Sequence, residues 1–325
     1  MVYVDAMKRV ICTGIGNATE VLRVVFADEP SPGPRDAVVE MAARPINPAD
    51  LLLVHGRHLA KPVFPAPVGI EGSGVVVALG AEAEGPPIGT KVAVPYGGTW
   101  SERLAIPAGD LIALPADADL RQASMLAVNP VTAASMLEGL SPGEWVLQNA
   151  AASAVGRLVV RIAARRGLRT VNVVRKEEQV AELKALGADV VLVGDHDLPA
   201  RTREAGATIS RALDAVAGEA SGRLFDAVQE GGELWVYGLL SDDRVILGAA
   251  QLVFRDVRVR GYSRLRVLRS APKDRVRALF DELLALAREG VLDSEVEAVY
   301  PLAEVAAAVA HHERPSRRGK ILLAD

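Results

Sequence analysis

The feature that most constrains the fold is a strand, a tight turn, a helix and a second strand in direct succession. They span residues 144–178, with the sequence EWVLQNAAASAVGRLVVRIAARRGLRTVNVVRKEE. Within 153–166 the apolar residues recur at i, i+3, i+4, i+7 and i+8, from Val155 to Ala163, and this spacing indicates one buried helix face. Gly167 predicts the end of that helix.

Strands and helices keep alternating after this segment. The sequence predicts helices over 153–166, EEQVAELKALG and 219–230, and strands over WVLQN, TVNVV, VVLVG, RALDAV and ELWVYG. Alternation at this spacing is typical of a doubly wound parallel sheet with helices on its faces.

The first 115 residues have a different pattern. Short β-prone runs such as GSGVVVALG and GTKVAVPYGG are separated by glycine and proline, with few helical patterns, and the pattern changes to helices from about residue 121. After 262 come a helix, KDRVRALFDELLALAREG, a strand-like SEVEAVYPL, a short helix and GKILLAD. This tail is too short for a domain, so we expect it to pack on the β-rich part. The predicted α/β chain therefore has a twisted β-rich domain, 1–121 with 263–325, and a doubly wound domain, 122–262.

Composition excludes several classes of function. Among 325 residues the net charge is -4, with no basic block for nucleic acid and no run of about 18 apolar residues for a membrane helix. The N-terminus lacks the pattern of a secretory signal. Cys12 is the single cysteine, which excludes an internal disulfide and a cysteine-rich metal site. We expect a cytoplasmic protein without nucleic-acid or membrane partners.

The turn AAASAVG, ahead of the helix, contains only small side chains. Such a turn lets a pyrophosphate approach the backbone N–H groups at the helix N-terminus, where the helix dipole favours anions. The glycine pattern of dinucleotide-binding turns is incomplete, since residues such as Ala154 replace two glycines and Gly156 remains. An ordinary strand–turn–helix is the alternative.

The second strand ends on Arg175 and Lys176, where NAD-binding proteins place an acidic residue for the ribose hydroxyls. A cation at this position accommodates the 2′-phosphate of NADPH. A solvated helix start is the alternative, and the small-residue turn before the strand favours the phosphate role.

Segments along nearly the whole chain resemble the medium-chain dehydrogenase/reductase superfamily, and within it the mitochondrial-type 2-enoyl thioester reductases. They are RPINPADLLLVHGR, GIEGSGVVVALG, GGTWSERLAIP, NPVTAASML, QNAAASAVG, GLRTVNVVR, WVYG, FRDVRVRGYS and RGKILL. The resemblance implies a GroES-like catalytic domain and a Rossmann domain inserted before the last stretch. Quinone oxidoreductases are the next relatives without zinc.

The resemblance implies a set of site residues. Cofactor contacts fall on Asn129, Ala152, Ser153, Ala154, Val155, Arg175, Lys176, Tyr237, Gly238, Leu239, Leu240, Tyr262, Ser263 and Lys320. The substrate pocket would include Asn47 and Trp100. Zinc-dependent relatives carry Cys and His ligands in the segments where Asn47 and Ile70 stand here, so we expect no metal.

One departure from the family concerns the proton donor. The family uses a tyrosine three residues after the position of His55, and this chain carries His58 there. Histidine donates protons near neutral pH and could replace the phenol. Alternatively, water supplies the proton, or the substrate has changed to a quinone, which needs no protonation at carbon.

Three hypotheses follow. The chain is an NADPH-dependent reductase of 2-enoyl thioesters carried by CoA or acyl carrier protein, an NADPH:quinone oxidoreductase, or an NADPH-binding protein without catalysis. We also expect a homodimer, because QLVFRDVRVRGYS, residues 251–263, lies where the Rossmann sheet should end and an uncovered apolar edge is a liability.

Overall fold

The computed structural model describes residues 6–57, 62–315 and 317–325. The strands are β1 (Ala6–Cys12), β2 (Leu22–Asp28), β3 (Asp36–Pro45), β4 (Ala66–Pro67), β5 (Gly72–Leu79), β6 (Lys91–Val94), β7 (Arg103–Pro107), β8 (Ile112–Ala113), β9 (Trp145–Gln148), β10 (Arg169–Val174), β11 (Val190–Val193), β12 (Ile209–Asp214), β13 (Val228–Val236), β14 (Arg258–Gly261), β15 (Val296–Tyr300) and β16 (Lys320–Leu323).

The α-helices are α1 (Ala18–Val21), α2 (Pro48–Val54), α3 (Leu120–Ala123), α4 (Asn129–Met136), α5 (Ala154–Arg165), α6 (Glu178–Ala185), α7 (Leu198–Glu204), α8 (Glu219–Ala227), α9 (Ala249–Arg255), α10 (Arg264–Ser270), α11 (Lys273–Arg288) and α12 (Val305–His312). Within the described ranges, no helix combines the length and the apolar character needed to cross a bilayer.

The chain divides into two units, which are described separately. The first consists of Met1–Val128 and Asp293–Asp325, and the second of Asn129–Leu292.

A six-stranded parallel sheet forms the centre of the second unit, with the strand order β11-β10-β9-β12-β13-β14. Helix α5 buries the apolar face read from the sequence, including Leu158, Val159 and Ile162, as hydrophobic residues at helical spacing require. The prediction of a doubly wound parallel sheet is confirmed.

The structure of this unit differs from the sequence prediction in three places. Helix α8 ends at Ala227, so 228–230 belong to β13 and not to the helix predicted over 219–230. The QLVFR part of the predicted edge segment forms helix α9, and Asp256 follows it in the left-handed conformation that ends a helix, with φ 46°. Helix α10 has no counterpart in the sequence prediction.

Residues 263–292 belong to the second unit, whereas the sequence analysis placed them with the β-rich domain. The physical reason is helix α11, which buries Leu279, Phe280 and Leu283 and packs against α4. An ion pair between Arg166, after α5, and Glu282, at 2.9 Å, adds a polar contact. The apolar face of α11 is thus covered within the Rossmann unit.

The first unit contains two sheets. One has the order β2-β1-β4, and the other has the order β15-β16-β3-β5-β6-β8, with β7 also paired to β3. Strand β16 pairs antiparallel with β3, so the end of the C-terminal tail lies on the sheet of the β-rich part. Trp100 lies in a buried hydrophobic cluster with residues of β1, α2, α12 and β16.

Candidate functional site

In the turn after β9, the backbone of the turn lies unusually close to the first residues of α5. Ala150 adopts φ 46°, a conformation that glycine takes without cost. At Gly156 an added Cβ would lie 2.4 Å from the carbonyl oxygen of Ala151, far inside a normal contact. Gly156, the glycine that remains of the predicted motif, is therefore required in the first turn of α5, because any side chain there would collide with the turn.

Side chains close this turn on the helix side. The Ser153 hydroxyl caps α5 by accepting a hydrogen bond from the Gly156 N–H at 3.1 Å. Arg157 donates from Nε to the Ala152 carbonyl at 3.0 Å and pairs with Glu182 at 2.6 Å. This anchoring role of Arg157 was not predicted from the sequence.

A buried carboxylate organises the ends of the central strands. Asp214, the last residue of β12, is fully buried. It accepts from Asn149 Nδ2 at 2.6 Å, from Ser221 Oγ at 2.5 Å and from the backbone N–H groups of Val216 and Ala217. Asn149 in turn accepts from the backbone N–H of the residue after Asp214. Asp214 and Asn149 were not predicted as site residues, because they carry no sequence motif beyond their positions at strand ends.

The YGLL segment follows β13 at the same edge of the sheet. The Tyr237 hydroxyl is buried, and it lies outside ordinary hydrogen-bond geometry with Ser153. Burial, and then the Asp214 carboxylate, raises the pKa of this hydroxyl well above its usual value. An added Cβ at Gly238 would lie 2.6 Å from the Ala215 carbonyl oxygen. The next two residues of the segment are Leu239, which is half-buried, and Leu240, which is 57% exposed.

Arg175 and Lys176 directly follow β10, as the sequence predicted. Both side chains are exposed. Within the described part of the chain, the Arg175 guanidinium forms no hydrogen bond or ion pair, while Lys176 lies 3.9 Å from Glu178. An exposed guanidinium without such a contact is available to bind an anion.

Asn129, Tyr262 and Ser263 lie elsewhere in the same unit. Asn129 is buried at the start of α4. Tyr262 follows β14, stacks on Trp235 at 6.3 Å and donates to the Val131 carbonyl at 3.4 Å. Burial raises the pKa of Tyr262. Ser263 is exposed and precedes α10.

The predicted residues of the first unit form a buried polar row. Lys320 Nζ donates to Asn47 Oδ1 at 2.5 Å, and Asn47 Nδ2 donates to Glu71 Oε1 at 2.9 Å. All three residues are at most 4% exposed. Glu71 was not predicted as a site residue, although it directly follows Ile70 in the GIEGSGVVVALG segment.

Trp100 has no exposed surface in this structure, and its indole N–H donates to the Pro45 carbonyl at 3.4 Å. Its role in a substrate pocket stays a prediction. His58 lies outside the described residues. In the ranges 6–57, 62–315 and 317–325, no group of three or more His, Cys, Asp or Glu residues is arranged to hold a metal ion.

The second unit therefore has the parts that a dinucleotide requires. Gly156, which has no Cβ, lets the first turn of α5 pack directly against the backbone of the preceding turn. Among the described residues, Arg175 offers a cation without a partner, and the Tyr237 hydroxyl is buried without an ordinary one. These residues fit a nicotinamide dinucleotide.

Comparison with known families gives two matches. Residues 33–116 match the alcohol dehydrogenase GroES-like domain, and residues 154–284 match the zinc-binding dehydrogenase family. The enoyl-[acyl-carrier-protein] reductase, mitochondrial, of Bos taurus is 32% identical over 320 residues, which cover 95% of this chain and 86% of that protein.

Two solved structures share the fold of this chain. A putative NADPH:quinone reductase from Bacillus thuringiensis superposes with a TM-score of 0.91 and 25% identity, covering 98% of this chain and 99% of that one. A complex of Etr1p with NADP and crotonyl-CoA superposes with a TM-score of 0.85 and 25% identity, covering 98% and 100%.

Proposed function

The chain belongs to the medium-chain dehydrogenase/reductase superfamily, an oxidoreductase family, together with the mitochondrial enoyl reductases, and on that premise we propose that it reduces the C=C bond of 2-enoyl thioesters with NADPH. The observation that carries the proposal is the similarity to an enoyl reductase along 95% of the chain. The carrier of the acyl group is CoA or an acyl carrier protein, and the proposed location is the cytoplasm.

The cofactor is proposed to bind the second unit through residues of three strand ends. The turn from Ala152 to Val155 and the N-terminus of α5 receive the pyrophosphate. Arg175, with Lys176, pairs with the 2′-phosphate, for which an exposed guanidinium without a partner in the described chain is suited. Tyr237 and Gly238 lie at the strand end where the nicotinamide half is expected.

The chemistry divides between the cofactor and the chain. Bound NADPH supplies a hydride to the β-carbon. The thioester oxygen then gains negative charge and needs hydrogen-bond donors, and the α-carbon needs a proton. His58 is the proposed proton donor because it stands at the position of the family tyrosine. Asn47 and Trp100 are proposed for the substrate side.

Quinone reduction is the second candidate. The observation that favours it is the TM-score of 0.91 with a protein described as a putative NADPH:quinone reductase. Hydride transfer to a quinone yields a hydroquinone anion, so the departure from tyrosine at position 58 would matter less.

A single set of assays tests both candidates. NADPH oxidation is followed by absorbance with crotonyl-CoA, a trans-2-decenoyl thioester and a benzoquinone in parallel. Turnover of the thioesters at higher kcat/KM than the quinone supports the first proposal. The reverse order supports the second, and NADPH binding without turnover of any substrate contradicts both.

A further inference from the structure

A buried network of hydrogen bonds reaches the first turn of α5, and every group in it belongs to the second unit. Gln148 and Asn172 are paired neighbours on β9 and β10, and both are fully buried. Gln148 Nε2 donates to the carbonyl oxygen of Gly156 at 2.9 Å and to Asn172 Oδ1 at 2.7 Å. Asn172 Nδ2 donates to Thr170 Oγ1 at 2.9 Å and to the Val190 carbonyl at 3.0 Å. The network therefore joins β9, β10 and β11 to the helix.

Two backbone carbonyls fix the direction of the bonds in this network. The carbonyl groups of Gly156 and Val190 can only accept, so Gln148 and Asn172 must each turn an NH2 group towards them. The oxygen of the Asn172 amide then faces Gln148 and accepts the second hydrogen of its NH2 group. Both amides therefore have one orientation, and neither can rotate by half a turn without setting two acceptors against each other.

The carbonyl oxygen of Gln148 shows which part of this side chain matters. Among the described residues, Gln148 Oε1 has no hydrogen-bond partner, although it is buried. An unpaired buried acceptor destabilises a fold, and an apolar side chain of the same length would avoid that loss. The useful part of Gln148 is therefore its NH2 group, which holds Asn172 and Gly156.

The bond from Gln148 acts on the end of α5 that faces the turn. The Gly156 N–H donates to the Ser153 hydroxyl and the Gly156 carbonyl accepts from Gln148, so the peptide groups on both sides of the glycine are held. In the described part of the chain, the N–H groups of the two preceding residues, Ala154 and Val155, have no hydrogen-bond acceptor. Free N–H groups at a helix N-terminus are the donors that bind a phosphate.

We propose that Gln148 is a positioning residue, which ties the first turn of α5 to β10 so that the N–H groups of Ala154 and Val155 point towards the pyrophosphate of the cofactor. This proposal rests on the proposed function, in which the turn from Ala152 to Val155 receives that group. The pyrophosphate is common to NADH and NADPH, whereas the 2′-phosphate proposed for Arg175 is not. Loss of the Gln148 amide should therefore weaken both dinucleotides alike and spare a ligand without a pyrophosphate.

The test replaces Gln148 by methionine, which has the same length but no hydrogen-bond donor. In Gln148→Met the dissociation constants of NADH and NADPH should both rise about tenfold, which corresponds to one hydrogen bond. Binding of 2′-AMP, which carries the adenosine 2′-phosphate without a pyrophosphate, should not change. Without any ligand, hydrogen exchange of the Gly156 and Arg157 amides, which donate to Ser153 at the start of α5, should become faster.

Thr202→Val is the matched control, because it also removes a buried hydrogen bond of the second unit without a change in side-chain size. Thr202 Oγ1 donates to the Leu198 carbonyl at 2.8 Å within α7. This variant should lower the free energy of unfolding but leave both dinucleotide affinities and the exchange of the Gly156 amide unchanged. Gln148→Leu, a second apolar variant, replaces the methionine variant if that one does not fold.

The outcomes separate this proposal from the proposed function. If wild type binds neither dinucleotide, the proposed function fails, and amide exchange alone decides whether Gln148 holds the first turn of α5. If wild type binds NADPH and Gln148→Met binds both dinucleotides as tightly, Gln148 is not a positioning residue. Equal weakening of 2′-AMP and the dinucleotides would also contradict the proposal, since the variant would then disturb more than the pyrophosphate turn.

Discussion

At the scale of single residues, the arginines of this chain serve two purposes. Arg166 and Arg211 form ion pairs and donate to carbonyls at helix ends, and burial lowers the pKa of Arg211. Arg175 forms no such contact within the described part of the chain, and it follows a fully buried strand end. The charge of Arg175 therefore makes no contact that would stabilise the fold, and we expect it to contribute to ligand affinity instead.

Arg175→Ala should weaken NADPH roughly tenfold to a hundredfold, because a hydrogen bond to a charged group contributes about 1.5–3 kcal/mol. NADH should bind the variant almost as it binds wild type, since it has no 2′-phosphate. The loss should shrink at high salt, because an exposed ion pair is screened. Dissociation constants of both cofactors at two salt concentrations test this. Equal weakening of NADH and NADPH would make Arg175 a structural residue.

His58 lies outside the described residues, so its proposed role as proton donor is tested by the rate of the chemical step. If it donates the proton, His58→Ala should slow the chemical step about 10²–10⁴-fold with an enoyl thioester. His58→Tyr should keep or raise the rate, and both variants should matter less with a quinone. Single-turnover measurements read the step directly, and an unchanged rate in the alanine variant excludes this role.

His312 should make stability depend on pH. Its side chain is buried, and burial, then the charges of Arg317 and Lys320, lowers its pKa from 6.5 to about 3. Between these values the unfolded chain binds a proton that the folded chain does not, so stability falls as pH falls from 6.5 towards 3. The carboxyl of Glu297, whose pKa is lowered from 4.5 to about 2, loses its stabilising effect only below pH 4.5.

The free energy of unfolding in urea, measured between pH 6.5 and 5, isolates the contribution of His312 to the pH dependence of stability. The slope should be at most about 1.4 kcal/mol per pH unit from this group, and His312→Gln should flatten it. His196→Gln, at an exposed position, is the control. An identical slope in wild type and His312→Gln would show that His312 takes up its proton without unfolding.

At the scale of elements, the sequence predicted the strand–turn–helix unit well, because local patterns determine it. The face of α5 and the position of Arg175 follow from spacing along one segment. Glu71 and Asp214 could not be found in this way, because their partners lie 56 and 65 residues away in sequence. Helix α9 was mistaken for a strand edge because its run of exposed apolar residues has no helical periodicity to reveal it.

Gly156→Ala should destabilise the protein by about 1–3 kcal/mol and weaken NADPH, because the new Cβ would lie 2.4 Å from the Ala151 carbonyl oxygen and would push the turn from α5. Gly14→Ala, where no atom of the described residues lies within 4 Å of the new Cβ, is the matched control and should be nearly neutral. Thermal unfolding with and without NADPH measures both effects. A Gly156→Ala variant as stable as the control would mean that the turn yields freely.

At the scale of the whole molecule, sequence patterns predicted both units but misplaced 263–292. Helix α11 carries a strong apolar face, and its pattern alone does not say which sheet or helix that face covers. Only the packing of Leu279 and Phe280 within the unit of α4 decides this. The tail from β15 is expected on the β-rich part because a two-strand segment has no core of its own and needs an existing sheet.

The exposed surfaces of β14 and α9 in the second unit predict that the chain forms a homodimer. All four residues of β14 are exposed, and Val253 and Phe254 of α9 are 69% and 81% exposed. An open strand edge and exposed apolar side chains both invite pairing, and a second copy related by a twofold axis would cover such surfaces.

Light scattering at micromolar concentration should therefore give twice the chain mass of 34.3 kDa. Val259→Lys, in the middle of the edge strand, should shift the protein towards the monomer, because a twofold axis would bring two new lysines together at a surface that loses apolar area. Ile88→Lys, at a residue of the first unit that is 62% exposed, is the control and should stay dimeric. A wild type that remains at 34.3 kDa would contradict the prediction, since β14 would then be an edge that solvent alone covers.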